Sequence, residues 1–124
     1  MTKKPNATTV TIRINKRLLQ RGKRFALATG RSLSALIVLG IGVIDDKSPR
    51  ERRAGIDTMK EKYPRKPKTQ KTTSAYIAKE ARDMAWGHGL SIDAHINDIY
   101  NYAIYAIVEE RPWQSESQKK TSRK

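Results

Sequence analysis

The chain contains no cysteine, which excludes disulfides, thiolate metal sites and cysteine nucleophiles. No run approaches the roughly 20 apolar residues of a membrane span, and the apolar core of a signal peptide is missing near the N-terminus. A cytoplasmic protein without membrane contact is therefore expected. Asn6-Ala7-Thr8 matches a glycosylation sequon, which in such a chain is chance. Acid is scarce: 12 Asp and Glu stand against 26 Lys and Arg, a net charge of +14 over 124 residues. That length suits one compact domain with tails.

The acid is also unevenly placed. Residues 1–32 hold nine basic residues and no acidic one, residues 47–70 carry +6 and residues 111–124 carry +4. Residues 33–46 and 71–110 are slightly acidic, at −2 and −3. Such a balance favours nucleic acid or an anionic surface as partner. A wholly acid-free stretch of 32 residues argues for nucleic acid over mere solubility.

Signatures of catalysis are equally thin. No Walker sequence occurs, and Gly40-Ile41-Gly42 lacks the third glycine and the preceding strand of a dinucleotide loop. His88 and His95 lie near Asp93 and Asp98, but their spacing matches no standard ligand motif, and His88 in Gly87-His88-Gly89 reads as a loop residue. No catalytic residue, metal or cofactor is expected. Trp86 at a helix end reads as core, and Trp113 after Pro112 as cover for a helix terminus.

What the chain does contain begins with a strand. Val10, Ile12 and Ile14 alternate with Thr9, Thr11 and Arg13, the period of a strand with one buried face. The outward face is then Thr9, Thr11 and Arg13, side chains suited to base edges in a major groove, which admits a two-stranded ribbon. So short a strand needs a partner, from another molecule or from elsewhere in the chain.

Helical signals follow directly. Asn15 is a good N-cap, Leu18, Leu19, Gly22, Phe25 and Ala26 fall at helical spacing, and Lys16, Arg17, Arg21, Lys23 and Arg24 are the solvated remainder. Gly30 supplies a left-handed C-cap, and Ser32 or Ser34 caps the next helix. That helix, from Ala35 to Ile44, is apolar on every side and so is expected to be buried all round, with Gly40 and Gly42 permitting a close crossing.

The strand, helix, Gly30-Arg31-Ser32-Leu33-Ser34 turn and apolar helix together resemble the ribbon-helix-helix DNA-binding family of the Arc and MetJ repressors, over about a third of the chain. The resemblance implies two intertwined units whose paired strands enter the major groove of double-stranded DNA. It implies base-facing roles for Thr9, Thr11 and Arg13. It also implies a phosphate site at the backbone of Ser32, Leu33 and Ser34, where free N–H groups and the helix dipole favour an anion. Arg31, Lys16, Lys3 and Lys4 are placed for further backbone contacts. Ala35 stands where many members carry an acidic residue.

The second half reads as a degenerate copy. A shift of 59 places Gly89-Leu90-Ser91 on Gly30-Arg31-Ser32, Leu18 on Ile77, Gly22 on Ala81 and Phe25 on Met84. It predicts a helix from about Ser74 to Trp86, a turn at Gly87-His88-Gly89, and a long helix from Ile92 to Glu110 with Ile96, Ile99, Ala103 and Ile107 on one stripe. The same shift leaves Thr69, Lys71 and Thr73 where Val10, Ile12 and Ile14 stood, so no second strand is marked. A poor strand would turn Lys68, Gln70 and Thr72 to the groove.

Between the halves, Ser48-Pro49-Arg50-Glu51 reads as a capping box opening a short helix to about Lys62, followed by an extended Tyr63–Lys68.

The expected architecture is thus mainly α with a short β-ribbon. It comprises a flexible basic arm (1–8), a ribbon-helix-helix unit (9–46), a basic linker with a short helix (47–70), a degenerate second unit or helical pair (71–110) and a disordered basic tail (111–124). A single-chain pseudo-dimer is favoured over a homodimer whose residues 74–110 bind a protein partner, and either could assemble further on DNA. The expected function is sequence-specific DNA binding, as a small transcriptional repressor or as an accessory factor at a plasmid transfer or partition origin, as in relaxosomes built with tandem units. The alternative is a basic adaptor that holds DNA or RNA without sequence preference while its acidic C-terminal helices bind a partner.

Overall fold

A computed structural model describes residues 7–92 and 94–110. Lys3, Lys4, Asp93, Trp113 and the basic tail lie outside the described residues. The chain runs through β1 (Ala7–Asn15), α1 (Lys16–Ala28), α2 (Leu33–Asp45), α3 (Pro49–Lys62), β2 (Gln70–Ala78), α4 (Lys79–Ile92) and α5 (Ile96–Tyr105), then a π-helical turn at Ala106–Glu110. The fold is mainly helical with one two-stranded antiparallel sheet, and no single described helix is long and apolar enough to cross a membrane.

The strand partner comes from the same chain. β1 pairs with β2 so that Thr9 faces Tyr76, Thr11 faces Ser74 and Arg13 faces Thr72. The alternation of β1 works as the sequence dictates: Ile12 and Ile14 are fully buried on the helical side, each contributing roughly 1.5–3 kcal/mol. On β2 the same side carries Thr73, Ala75 and Ile77, of which Ala75 and Ile77 are buried.

This pairing corrects the internal alignment. Adding 63, not 59, to the bounds of β1 gives those of β2, and the same shift carries α1 onto α4 and α2 onto α5. Residues 74–78, read from sequence as helix, are strand, and Gly87-His88-Gly89, read as a turn, lies inside α4. His88 is consequently buried rather than a loop residue, whereas Trp86, expected in the core, is 49% exposed.

Local signals held at the first helices. The Asn15 side chain accepts from the amides of Arg17 and Leu18, opening α1. Its C-terminus closes by the Schellman pattern, with Arg31 N–H to Ala26 O at 2.8 Å and Gly30 N–H to Leu27 O at 3.2 Å, Gly30 taking φ 69°. Ser32 Oγ caps α2 by accepting from the Ala35 amide at 3.1 Å, and α1 and α2 turn by 100° at their junction.

Helix α2 is not buried on every side. Leu36, Ile37, Gly40, Ile41 and Ile44 are buried, but Ala35, Val38 and Gly42 form an open stripe. Gly40 meets the expectation of a close crossing, since an added Cβ would stand 2.1 Å from the Ala103 carbonyl oxygen of α5. Gly42 does not, having nothing within 4 Å of such a Cβ.

The segment between the halves is part of the core. Both hydrogen bonds of the Ser48/Glu51 capping box form, and α3 buries Ile56 and Met59, with Tyr63 just beyond its end. Arg52, also buried, donates from Nε to Ile44 O at 3.0 Å and so closes the C-terminus of α2.

Candidate nucleic-acid interface

Because directly opposed residues of an antiparallel pair share a face, the register determines the outer surface of the ribbon. Thr9, Thr11 and Arg13 are all exposed there, and opposite them stand Tyr76, Ser74 and Thr72, also exposed. The result is a polar, hydroxyl-rich face with one guanidinium, backed by the apolar residues that pin the sheet to the helices.

Of the three residues named from sequence for a second strand, Thr72 and Gln70 lie on this side of the ribbon. Gln70 opens the strand opposite Asn15, and Lys68 lies in the turn before it. Ser74 and Tyr76 were missed because a helix was assigned to them. The signal that finds them is Ala75-Tyr76-Ile77, a buried-exposed-buried alternation placed 63 residues after Ile12-Arg13-Ile14.

Each outer edge of the ribbon is held by a helix N-terminus. The Tyr76 amide donates to Ser34 Oγ of α2 at 2.8 Å. The Arg13 amide donates to Asn97 Oδ1 of α5 at 2.9 Å, while Asn97 Nδ2 and Asn101 Nδ2 donate to Arg13 O at 3.0 and 2.9 Å. Tyr76 lies 63 residues after Arg13, and Asn97 lies 63 after Ser34, so the two clamps occupy equivalent positions.

The helix ends differ in charge. At α2, Ser32 and Arg31 are exposed, no acidic residue lies in the first turn, and Leu33 and Ser34 supply first-turn amides. At α5 the N-cap is His95, whose Nδ1 accepts from the Asn97 amide at 3.1 Å, and Asp98 lies in the first turn. Asp98 is buried and paired with Arg65 at 2.5 Å and Lys60 at 3.2 Å. A groove of about 620 Å³ opens here between the ribbon face and α5, lined by Thr11, Arg13, Arg65, Gln70 and His95 among others.

Behind the face, the basic residues of α1 divide by role. Arg17 and Arg21 are not simply solvated: Arg17 lies over the Tyr63 ring at 5.5 Å, and Arg21 bonds Tyr63 and Glu109. Glu109 also accepts from Lys62 at 2.6 Å and from the Tyr63 hydroxyl at 2.5 Å, tying α1, α3 and the C-terminal turn together. Burial opposes the charge on Glu109, but Lys62, Tyr63 and Arg21 outweigh it and hold the carboxyl below its usual range. Burial raises the Tyr63 phenol, reinforced by its bond to Glu109. His88 is held below the usual imidazole value by burial and by nearby Arg52, with Asp45 at 3.2 Å pulling the other way. Lys16 stays exposed at the end of the ribbon, its amide donating to Thr69 O at 2.7 Å.

Among the described residues no cluster of three or more His, Cys, Asp or Glu could hold a metal ion. Comparison with protein-family models, with curated proteins and with solved structures found no match.

Proposed function

We propose that the chain is a sequence-specific double-stranded DNA-binding protein of the ribbon-helix-helix type in which one chain supplies both halves of the reading head. It would act as a small transcriptional regulator or as an accessory factor at a plasmid transfer or partition origin. The observation that carries this reading is the pairing of Thr11 with Ser74. These residues are equivalent at the 63-residue shift, so they sit where a two-fold axis relating the halves crosses the ribbon. Gly40 against Ala103, equivalent by the same shift, puts a second point on that axis.

In this reading the outer face enters the major groove. Arg13 donates bidentately to a guanine, and the hydroxyls of Thr9, Thr11, Thr72 and Ser74 bond base edges or touch thymine methyls. The amides at the α2 N-terminus, with Arg31 beside them, take backbone phosphates, and Lys16 contacts phosphate at the other end of the ribbon. Operator symmetry follows protein symmetry, and Arg13 is matched across the axis by Tyr76, so the preferred site is not a palindrome. The adaptor reading is less well supported, because the C-terminal helices bury Ile99, Tyr102, Ile104 and Ile107 in the core instead of offering them to a partner.

The test is selection from a random duplex pool followed by titration of the enriched sequence against competitor. Arg13→Ala is expected to lower affinity for that sequence by about 1–3 kcal/mol and to relax preference at one base pair. Equal weakening on every sequence would sink direct readout by this strand.

A further inference from the structure

The ribbon face is not the only cationic surface at its Arg13 end. Gln70 lines the groove on the outer face, and the next residue, Lys71, turns to the opposite side of the sheet. There it meets α1 across a second groove of about 510 Å³, lined by Lys16, Leu19, Gln20, Lys23 and Lys71. Lys16, Gln20 and Lys23 fall four and three residues apart, one stripe of the helix, and Lys71 closes the groove from the strand. All four polar residues are exposed, over a floor supplied by buried Leu19.

Three lysines line this groove and no carboxylate does, and no ion pair among the described residues involves Lys16, Lys23 or Lys71. Three lysines elsewhere are matched, Lys60 with Asp98, Lys62 with Glu109 and Lys79 with Asp83 at 3.2, 2.6 and 3.8 Å. The comparison with the other half is sharper. At the 63-residue shift Lys16, Gln20 and Lys23 become Lys79, Asp83 and Trp86, so the equivalent flank carries an ion pair and a half-exposed indole. Like charges brought together repel, and an anion removes that cost.

We infer that the groove between α1 and the start of β2 is a second binding site for the DNA sugar-phosphate backbone, engaging duplex that runs on past the Arg13 end of the ribbon. This rests on the ribbon reading for its location, because the ribbon aligns the duplex so that flanking phosphates reach this flank. Lys16, Lys23 and Lys71 act as point charges and Gln20 as a neutral donor. The Trp86 flank makes no such contact. The footprint is therefore lopsided, longer on the Arg13 side of the site than on the Tyr76 side.

The experiment pairs the exposed double substitution Lys23→Gln/Lys71→Gln with duplexes trimmed from either side of the selected sequence. Each phosphate contact contributes about 0.9 to the slope of log affinity against log salt. The double variant is expected to lower that slope by about two on a long duplex and to bind on the order of tenfold or more weakly at low salt. Removing flanking base pairs on the Arg13 side should abolish the difference between variant and wild type, and trimming the Tyr76 side should leave it intact. An unchanged slope, or a loss that persists on the Arg13-trimmed duplex, overturns the proposal. Failure of the ribbon reading gives a different result, namely no enriched sequence or a preference indifferent to Arg13→Ala. The slope on a long random-sequence duplex then decides the groove by itself.

Discussion

Gly40 of α2 faces the backbone of Ala103 in α5: a Cβ on Gly40 would lie 2.1 Å from the Ala103 carbonyl oxygen and 2.8 Å from its Cα. They lie 63 residues apart, the spacing that also separates β1 from β2, and at this crossing there is no room for a side chain on Gly40. The crossing and the strand pair Thr11 and Ser74 together bind the two halves of the chain through their centres.

Gly40→Ala is therefore expected to destabilise the fold by about 1–3 kcal/mol, because the obstruction is backbone and neither helix can yield without moving the ribbon attached to it. Gly42→Ala, two residues on, meets nothing within 4 Å and should stabilise by up to about 1 kcal/mol through helix propensity. Urea unfolding of both variants checks the pair. Equal effects would show that helix propensity, not the crossing, governs this segment.

Asn97 holds the ribbon edge by accepting from the Arg13 amide and donating to the Arg13 carbonyl. Asn97→Ala should cost about 1 kcal/mol and speed hydrogen exchange at the Arg13 amide. Asn101 still donates to the carbonyl, so the strand remains paired. Exchange at the Tyr76 amide, bonded instead to Ser34, should not change.

Half of this design was legible in residues. Ile12 and Ile14 alternate with Thr11 and Arg13 strongly enough to mark β1, and Asn15, Gly30 and Ser32 punctuate the helices by side-chain chemistry that acts locally. β2 was obscured because only Ala75 and Ile77 are buried on it and its first residues are polar. Gly89 misled further: aligned with Gly30 as a helix cap, it is a helix-interior glycine whose added Cβ would lie 2.7 Å from Ala94 O. A glycine required by packing and one required by a positive φ look identical in sequence. The core role of α3 was hidden for a related reason, since Ile56, Met59 and Tyr63 are spread among charges and only tertiary packing selects them.

Stability should decline with acid over two pH ranges. His88 is held neutral in the fold, so the unfolded chain binds its proton more readily; its contribution is complete above about pH 6.5 and lost as pH falls from there through the lower folded value. Glu109 is held ionised, and its contribution is complete above about pH 4.3 and lost as pH falls through its own lowered value. Melting temperature measured from pH 8 to 3 should fall first near the imidazole range and again in the carboxylate range. His88→Gln should flatten the first decline and Glu109→Gln the second, and a melting temperature that holds steady from pH 8 to 5 would contradict the first assignment.

Arg13 and Tyr76 occupy equivalent positions on the two strands, so exchanging one for the other tests whether this face reads bases at all. Tyr76 is 51% exposed, and the hydrogen bond its backbone N–H donates to Ser34 Oγ needs no particular side chain at this position, so Tyr76→Arg should fold normally. If the ribbon lies in the major groove, the variant presents a guanidinium on each side of the Thr11 and Ser74 pair. Its face then becomes nearly two-fold symmetric, with Thr9 matched by Thr72. A symmetric reader prefers a symmetric site, so selection with the variant should enrich inverted repeats carrying guanine in both halves, where the native chain enriches it in one. Added charge alone would raise affinity for every sequence and steepen the salt dependence without changing the enriched sequence. An unchanged enriched sequence with stronger general binding would place the specific contacts elsewhere on the molecule.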